Sequence, residues 1–348
     1  MAEQAAPGAV AEGAIHRLGD GTIAFSSPPR ILSSFTLAGS HEAQGPWASY
    51  IDGFVDDDMM GERTPEKAER AFLAQAALQA LGRAGLQAAD VDFFIAGDLM
   101  NQITSSTLVA RDLGIPYLGV FSACATSGQA LGLAALLLDG GYARRVLVGT
   151  CSHYQSVERQ YRYPIELNIQ RKATNQWTAT GAGAAVLAHE GAGPRITHVT
   201  FGRVIDYGLS DVNDMGSIMA PAANDTLLRH FNNTGTGPED YDLILTGDLA
   251  RMGSKMFRAL LRESGIVLGN KHEDCGVNLY SPEQRYVNAG ASGAACSMIG
   301  VLGFALRSLK EGRYRRILAL PTGCLHSPRT AWQGETCPAV CHGIVLEN

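Results

Sequence analysis

The sequence contains two stretches that recur in the same order, and this repeat restricts its fold more than any other feature. Residues 90–99 read DVDFFIAGDL, and residues 240–249 read DYDLILTGDL. A second pair follows, LDGGYARRVL at 138–147 and LKEGRYRRIL at 309–318. Two collinear matches indicate the duplication of one α/β unit. We therefore expect a flexible arm at 1–20, a first half at 21–195 and a second half at 196–348.

Each half is predicted to contain one helix that is apolar on nearly all of its faces, at 129–139 and at 297–309. A helix that is apolar all round has to be covered on every side. Two separate doubly wound domains would give these helices a polar outer face, which they lack. The pattern therefore predicts a five-layer α-β-α-β-α sandwich, made of two duplicated halves, with both helices between two sheets. A further helix is predicted to begin at Thr64-Pro65-Glu66, where a cap residue precedes proline.

Charge and cysteine content exclude several classes of function. The net charge is −6, from 28 basic and 34 acidic residues, and no long basic run predicts nucleic-acid binding. The seven cysteines are odd in number and scattered, which favours reduced thiols, and they form no metal-site pattern. The N-terminal residues do not resemble a signal peptide. Because the longest apolar run, Ala130–Leu138, is about half a membrane span, we expect a soluble or peripheral protein.

Cys124 is the strongest candidate for chemistry. It lies in the small-residue turn FSACATSG at 121–128, directly before the first apolar helix. The positive end of a helix favours the thiolate form of a cysteine placed there. A buried and inert cysteine that fills a tight turn is the alternative interpretation.

Taken together, these features resemble the thiolase fold, whose members include thiolases, ketoacyl synthases and chalcone-type synthases. More specifically, the chain resembles the stage V sporulation protein AD family. The segments that carry this resemblance are SHY at 152–154, VERQYRYP at 157–164, AT at 173–174, WT at 177–178 and GAGAA at 181–185. The resemblance implies a thiolase-like homodimer without cofactors that binds dipicolinic acid, alone or as its calcium chelate, and no enzymatic activity. It further implies work with other SpoVA membrane proteins, at the cytoplasmic face of the spore inner membrane, in dipicolinate uptake and release.

The enzyme alternative is an acyltransferase or condensing enzyme that uses Cys124 as its nucleophile. Condensation requires donors that stabilise an enolate or oxyanion, usually two histidines or a histidine and an asparagine. Where the resemblance places the first histidine, this chain has GDLA at 247–250, and Ala291 stands at the asparagine position. His153 and His326 are the available substitutes. The missing partners favour the binding function.

A pocket for a flat aromatic dicarboxylate needs cationic side chains beside an aromatic or apolar slot. Arginines and aromatic residues are concentrated after residue 151, although any one of these arginines could equally be solvated. We expect no metal ligands, and the predicted ligand-binding residues are Cys124, Cys151, His153, Tyr154, Arg159, Arg162, Asn288 and His326.

Overall fold

The computed structural model describes residues 17–162 and 171–348. The strands of the first half are β1 (Arg17–Gly19), β2 (Thr22–Ala24), β3 (Arg30–Ala38), β4 (Gly53–Phe54), β5 (Phe93–Gly97), β6 (Tyr117–Gly119), β7 (Arg145–Ser152), β8 (Trp177–Thr178) and β9 (Gly181–Ala188). Those of the second half are β10 (Arg195–Thr200), β11 (Leu243–Thr246), β12 (His272–Asp274), β13 (Ala291–Ser292), β14 (Arg316–Leu320), β15 (Thr322–Cys324), β16 (Ala339–Cys341) and β17 (Gly343–Glu347).

The helices lie between these strands in both halves. They are α1 (Pro65–Arg83), α2 (Thr104–Leu113), α3 (Thr126–Asp139), α4 (Tyr154–Tyr161), α5 (Met215–Thr234), α6 (Ala250–Glu263), α7 (Cys275–Asn278), α8 (Ala294–Ile299), α9 (Leu306–Lys310) and α10 (Pro328–Trp332). A π-helical turn, Gly300–Ala305, joins α8 to α9, so the predicted helix at 297–309 is a continuous run over 294–310. The predicted start of α1 is confirmed, since the Thr64 side chain accepts a hydrogen bond from the Lys67 amide.

The main sheet has 13 strands, of which ten form two five-stranded groups with the same order and the same strand directions, while β1, β2 and β4 pair at the side of this path. The first runs β3-β9-β7-β5-β6 and the second runs β10-β17-β14-β11-β12. In each group the first three strands are antiparallel neighbours and the last three are parallel neighbours. The single pair Arg30 with Arg195 links β3 to β10 at the junction of the groups. The expected boundary at 195/196 therefore falls at the first residue of β10.

Matching side chains perform matching tasks in the two halves. Asp92 accepts hydrogen bonds from the amides of Arg144 and Arg145 at 2.6 and 3.0 Å, and Asp242 accepts them from the amides of Arg315 and Arg316 at 2.7 and 3.0 Å. These carboxylates fix the turn that leads from each central helix into the next strand. The duplication read from the sequence is thus visible in the hydrogen bonds.

The same turns use glycine for the same backbone reason. Gly141 and Gly312 follow the central helices of the two halves and have φ values of 71° and 72°. A left-handed residue just beyond a helix terminates it, and glycine adopts that conformation without a steric cost.

Three groups of buried side chains hold the layers together. The largest surrounds α3 and the run from α8 to α9 between the two groups of strands. A second packs α1 and α2 against the outer face of the first group, and a third packs α5 and α6 against the outer face of the second. The order of layers is therefore helices, strands, central helices, strands, helices, and the predicted five-layer fold is confirmed.

One expected feature differs from the structure. Of the arm predicted at 1–20, residues 1–16 lie outside the described residues, but Arg17–Gly19 pairs with Thr22–Ala24 as a hairpin that also contacts β10. The end of the predicted arm is therefore a strand. Among the described residues, no helix is long and apolar enough to cross a membrane.

Candidate functional site

A small cavity opens where the N-terminus of α3, the end of α4 and the β15 strand meet. It encloses about 40 Å³. The lining residues are Leu99, Phe121, Ala123, Cys124, Val157, Tyr161, Arg162, Thr178, Met215, Ser292, Cys324 and His326. Both halves of the chain contribute, so the cavity exists only once the duplicated units have packed together.

The Cys124 turn forms the floor of this cavity. Ala123 adopts a left-handed backbone conformation with φ of 50°, and Cys124 itself is only 6% exposed. Within the turn, the Ala125 amide donates to the Ser122 carbonyl and the Thr126 amide donates to the Ala123 carbonyl. Since these amides of the helix end are already bonded, they are not free to bind an anion.

The second half also holds this turn in place. The Ser297 hydroxyl on α8 donates to the Cys124 carbonyl at 2.9 Å and lies 2.8 Å from the Ser127 hydroxyl on α3. Both serines are fully buried between the central helices. The position of Cys124 therefore depends on the contact between the two repeats.

Asp248 lies behind the Cys124 thiol, in the segment where a condensing enzyme would have its histidine. One carboxyl oxygen accepts a hydrogen bond from the Gly293 amide at 2.7 Å, while Oδ1 is buried and makes no conventional hydrogen bond with the described residues. The neighbouring Asp274 instead accepts bonds from the Thr246 hydroxyl and from several backbone amides. A carboxylate with many donors retains its charge more easily than one with few donors.

Of these two buried carboxyls, Asp248 therefore holds the proton. Desolvation, and then the charge of Asp274, raise the pKa of Asp248 well above its usual value. Desolvation, followed by the Asp248 carboxyl, likewise raises the pKa of the Cys124 thiol. A neutral thiol is a poor nucleophile, so this environment opposes the thiolate chemistry expected from the helix position alone.

Arg162 supplies the cation of the cavity. Its side chain is 6% exposed and forms an ion pair with Glu158, one turn earlier on α4. Glu158 also pairs with Arg171 at 2.8 Å, and Arg171 lies over the rings of Tyr154 and Trp177. Two guanidinium groups thus share one carboxylate, and the cluster carries an excess positive charge beside the cavity.

His326 and Tyr161 form the mouth of the cavity. Their ring centroids are 5.6 Å apart, and the Tyr161 hydroxyl donates to the Leu99 carbonyl. Desolvation, helped by the charge of Arg162, lowers the pKa of His326 to about 4. His326 is therefore neutral at physiological pH and can accept or donate a hydrogen bond without adding charge.

Of the predicted ligand-binding residues, Cys124, Arg162 and His326 line one cavity, whereas the structure places Cys151 and His153 elsewhere. Cys151 points to the outer face of β7, where its thiol lies 3.7 Å from a carboxyl oxygen of Glu69. His153 caps α4, because Nδ1 accepts from the Gln155 amide at 3.2 Å and Nε2 donates to the Asp58 carbonyl at 3.0 Å. Both nitrogens of this histidine are therefore engaged in structural bonds.

The other predicted site residues also lie away from the cavity. Tyr154 stacks on Trp177 with ring centroids 3.7 Å apart. Arg159 is exposed and pairs with Glu66 at 3.3 Å. Asn288 is exposed, and its side chain donates to the Lys172 carbonyl at 2.8 Å. None of the three side chains faces the thiol.

One buried group, made of Glu69, Asp98 and Cys151, has the spacing of metal ligands. Its carboxylate oxygens already accept hydrogen bonds. Ser156 and Cys151 donate to Glu69, while the amides of Met100 and Ser106 donate to Asp98. These hydrogen bonds satisfy the buried carboxyl groups, so the three residues form a buried polar network that requires no metal ion.

Sequence reasoning missed Asp248, Glu158 and Cys324 as parts of the site. Asp248 was identifiable, because it is the repeat partner of Asp98 within the GDL motif. Glu158 precedes Arg162 by four residues, which is the spacing of an ion pair on a helix. Cys324 gave no local signal, since only the packing of β15 brings it beside Cys124.

Comparison with known proteins places this geometry in a family. A family model described as Stage V sporulation protein AD matches residues 19–347. Stage V sporulation protein AD of Bacillus subtilis (strain 168) is 42% identical over 330 residues, which cover 95% of this chain and 97% of that protein.

Two solved structures share the fold at low sequence identity. One is 3-oxoacyl-[acyl-carrier-protein] synthase III from Aquifex aeolicus VF5, with a TM-score of 0.57, 16% identity and coverage of 92% of this chain and 100% of that chain. The other is cerulenin-bound OleA from Xanthomonas campestris, with a TM-score of 0.58, 16% identity and coverage of 92% and 97%. At this identity the likeness concerns the thiolase-type fold alone.

Proposed function

Because the chain belongs to the stage V sporulation protein AD family and so has a role in sporulation, we propose that it binds dipicolinic acid in the Cys124 cavity without catalysing condensation. The observation that carries this proposal is the buried Arg162 guanidinium beside a cavity whose cysteine is held as a neutral thiol. A cation without an active nucleophile is suited to holding an anion rather than to acyl transfer.

The ligand chemistry fits the lining of the cavity. A carboxylate of dipicolinate can pair with Arg162 in the planar, two-bond geometry that guanidinium groups favour. The aromatic ring then lies against the apolar walls, Leu99 and Val157, and the rings of Tyr161 and Phe121. Because Glu158 is shared by two arginines, an anion that approaches Arg162 meets an excess of positive charge.

The size of the cavity adds a requirement. A volume of about 40 Å³ holds only a few water molecules. Dipicolinate is larger, so binding requires side chains at the mouth, such as Tyr161 and His326, to move outward. We therefore expect binding to change the environment of Tyr161, which tyrosine fluorescence or NMR can detect.

The direct experiment is titration calorimetry with dipicolinate, alone and together with calcium. Replacing Arg162 by Gln removes a charge-assisted hydrogen bond and is expected to weaken binding about 10-fold or more. Arg159→Gln is the matched control, because Arg159 lies on α4 three residues before Arg162 but outside the cavity. The affinity of this variant for dipicolinate should equal that of the parent. Absence of binding at millimolar dipicolinate would contradict the proposal.

Picolinate and isophthalate separate the parts of the ligand that matter. Picolinate lacks one carboxylate and isophthalate lacks the ring nitrogen, so each isolates one group of dipicolinate. Picolinate keeps one carboxylate for Arg162, so binding of picolinate that is weaker than that of dipicolinate indicates that the second carboxylate is also contacted. If calcium increases the affinity for dipicolinate but not for isophthalate, the ligand enters as the chelate.

Acyl transfer through Cys124 is the second candidate, favoured by the position of this thiol at the start of α3 within a cavity. It predicts a mass increase on the Cys124 peptide after incubation with acyl-coenzyme A. The neutral thiol beside Asp248 leads us to expect no such adduct.

We also propose that the bound ligand passes to SpoVA membrane proteins at the spore inner membrane, with the protein acting as a peripheral homodimer. Strand β6 supports the dimer, because it ends the first group of strands and has no partner on its outer edge among the described residues. Leu118 on this strand is 40% exposed and Phe121 just beyond it is 45% exposed. Light scattering after size exclusion should give twice the chain mass, and Leu118→Asp should reduce it to the chain mass.

A further inference from the structure

Two cysteines lie in contact beside the cavity. Cys324 is the last residue of β15, and Cys337 lies just before β16, the antiparallel partner of β15. Their sulfur atoms are 2.7 Å apart, and the two residues are 5% and 6% exposed. Among the described cysteines, no other pair has a sulfur–sulfur contact of this kind.

The backbone around the two thiols is fixed on both sides. The Leu325 amide donates to the Pro338 carbonyl, and the Cys337 amide donates to the Leu209 carbonyl, each at 2.8 Å. A disulfide requires a sulfur–sulfur distance of about 2.05 Å, so the sulfur atoms have to approach by only about 0.7 Å. This shift is shorter than one covalent bond.

We propose that Cys324 and Cys337 form a redox-modification site that reacts with low-molecular-weight disulfides to give an intrachain disulfide. One thiol loses its proton and attacks a sulfur of the reagent, which releases one reagent thiol and leaves a mixed disulfide. The second thiol loses its proton and attacks the protein sulfur of the mixed disulfide, which forms the intrachain bond and releases the other half of the reagent as a thiol. The two protein sulfurs are thereby oxidised, the reagent is reduced to two thiols, and both protons are carried by the released products.

This bond would act on the wall of the cavity. Cys324 lines the cavity, and the segment between the two cysteines contains His326 at its mouth and α10 (Pro328–Trp332) at the surface. Oxidation closes 324–337 into a covalent loop and restricts the positions open to His326. The proposal stands on the cysteine geometry and does not depend on the identity of the ligand.

The Cys124 thiol could react with Cys324 in place of Cys337. Cys124 and Cys324 line the same cavity, so these side chains are also neighbours. A disulfide between Cys124 and Cys324 is therefore the alternative product, and the experiment has to separate the two. The observed contact favours Cys337, because its sulfur already touches that of Cys324.

The test exposes the folded full-length chain to oxidised glutathione, blocks the remaining thiols and maps the crosslink by mass spectrometry. Trypsin cleaves after Arg329, between the two cysteines, so the disulfide joins two otherwise separate peptides. The C-terminal peptide also contains Cys341, and fragmentation before Pro338 distinguishes Cys337 from it. We expect the titratable thiols of the unfolded product to fall from seven to five, with the crosslink between Cys324 and Cys337.

Two variants give the matched comparison. Cys337→Ser lacks the second thiol, so it should form no intrachain crosslink and should keep at least five of its six thiols, the loss of one marking a retained mixed disulfide with glutathione. Cys296→Ser, which removes a buried cysteine of the central core, should fall from six thiols to four. Retention of seven thiols by the parent, or a crosslink from Cys324 to Cys124, would overturn the proposal. Mapping of the parent requires no substitution, so it decides the question even if a variant fails to fold.

Discussion

The contact between the second half and the Cys124 turn can be tested at Gly323. An ideal β-carbon added to Gly323 would lie 2.3 Å from the Ser122 carbonyl oxygen, 2.8 Å from the Ala125 nitrogen and 3.0 Å from the Cys124 nitrogen. All three atoms belong to the backbone of the turn, so no flexible side chain can move aside. We therefore expect Gly323→Ala to push the turn away from β15.

The expected cost follows from this geometry. A methyl group forced against a fixed backbone has the effect of an overpacked core, which destabilises by about 1 to 3 kcal/mol. Gly82→Ala is the matched control, because Gly82 lies inside α1 and its added β-carbon meets nothing within 4 Å. Alanine at that position should stabilise the helix by about 0.5 to 1 kcal/mol.

Urea denaturation, monitored by circular dichroism, measures both effects as shifts of the urea concentration at the unfolding midpoint, with an unchanged dependence of the unfolding free energy on urea. We expect opposite signs for the two variants. If Gly323→Ala proves as stable as the parent, β15 does not pack on the turn as described, and the dependence of the site on both repeats would be refuted.

Three further predictions concern charge in and around the site. Once ionised at alkaline pH, Asp248 raises the pKa of the Cys124 thiol, so Asp248→Asn should increase the thiolate fraction of Cys124 and its rate of alkylation by iodoacetamide at alkaline pH; an unchanged pH profile contradicts this. Burial raises the pKa of the Glu42 carboxyl from 4.5 to about 7, so the folded state binds this proton more tightly than the unfolded state. The stabilisation that results from this difference is complete below pH 4.5 and is lost as the pH rises to 7. Between pH 4.5 and 7 the free energy of unfolding of the parent, measured in urea, should therefore fall relative to that of Glu42→Gln by up to about 1.4 kcal/mol per pH unit. An equal pH dependence of the two proteins would exclude the raised pKa of Glu42. Glu158→Gln leaves the buried Arg162 and the partly buried Arg171 without their carboxylate and should cost about 3 to 5 kcal/mol. Glu66→Gln breaks an exposed pair and should cost at most about 1 kcal/mol, so similar unfolding midpoints for the two variants would contradict the burial of the Glu158 cluster.

The overall architecture followed from local patterns. The repeated D-x-D and glycine-arginine motifs identify equivalent turns, and in the structure Asp92 and Asp242 bind equivalent backbone amides. The two all-apolar helices required cover on every side, and both lie between the groups of strands. These features could be predicted because hydrophobic periodicity, caps and turns depend on residues that are close in sequence.

The site was predictable only in part, because the direction of each side chain depends on packing. Cys151 and Thr150 are neighbours on β7, but successive side chains of a strand face opposite sides. Thr150 faces the central helices and donates to the Ala294 carbonyl, whereas Cys151 faces α1 and Glu69. The sequence does not state which of the two sides the cavity occupies.

By itself the sequence determined the duplication, the order of the helices and strands, and the place of Cys124 at the start of the buried helix. Only the tertiary structure decided that Arg162 and His326 meet this thiol while His153 becomes a helix cap. It also placed the Asp248 carboxyl behind Cys124, where burial and the charge of Asp274 raise its pKa and retain the proton. These residues are brought together by the packing of two repeats, and the resulting burial, which no local pattern encodes, sets the charge of the site.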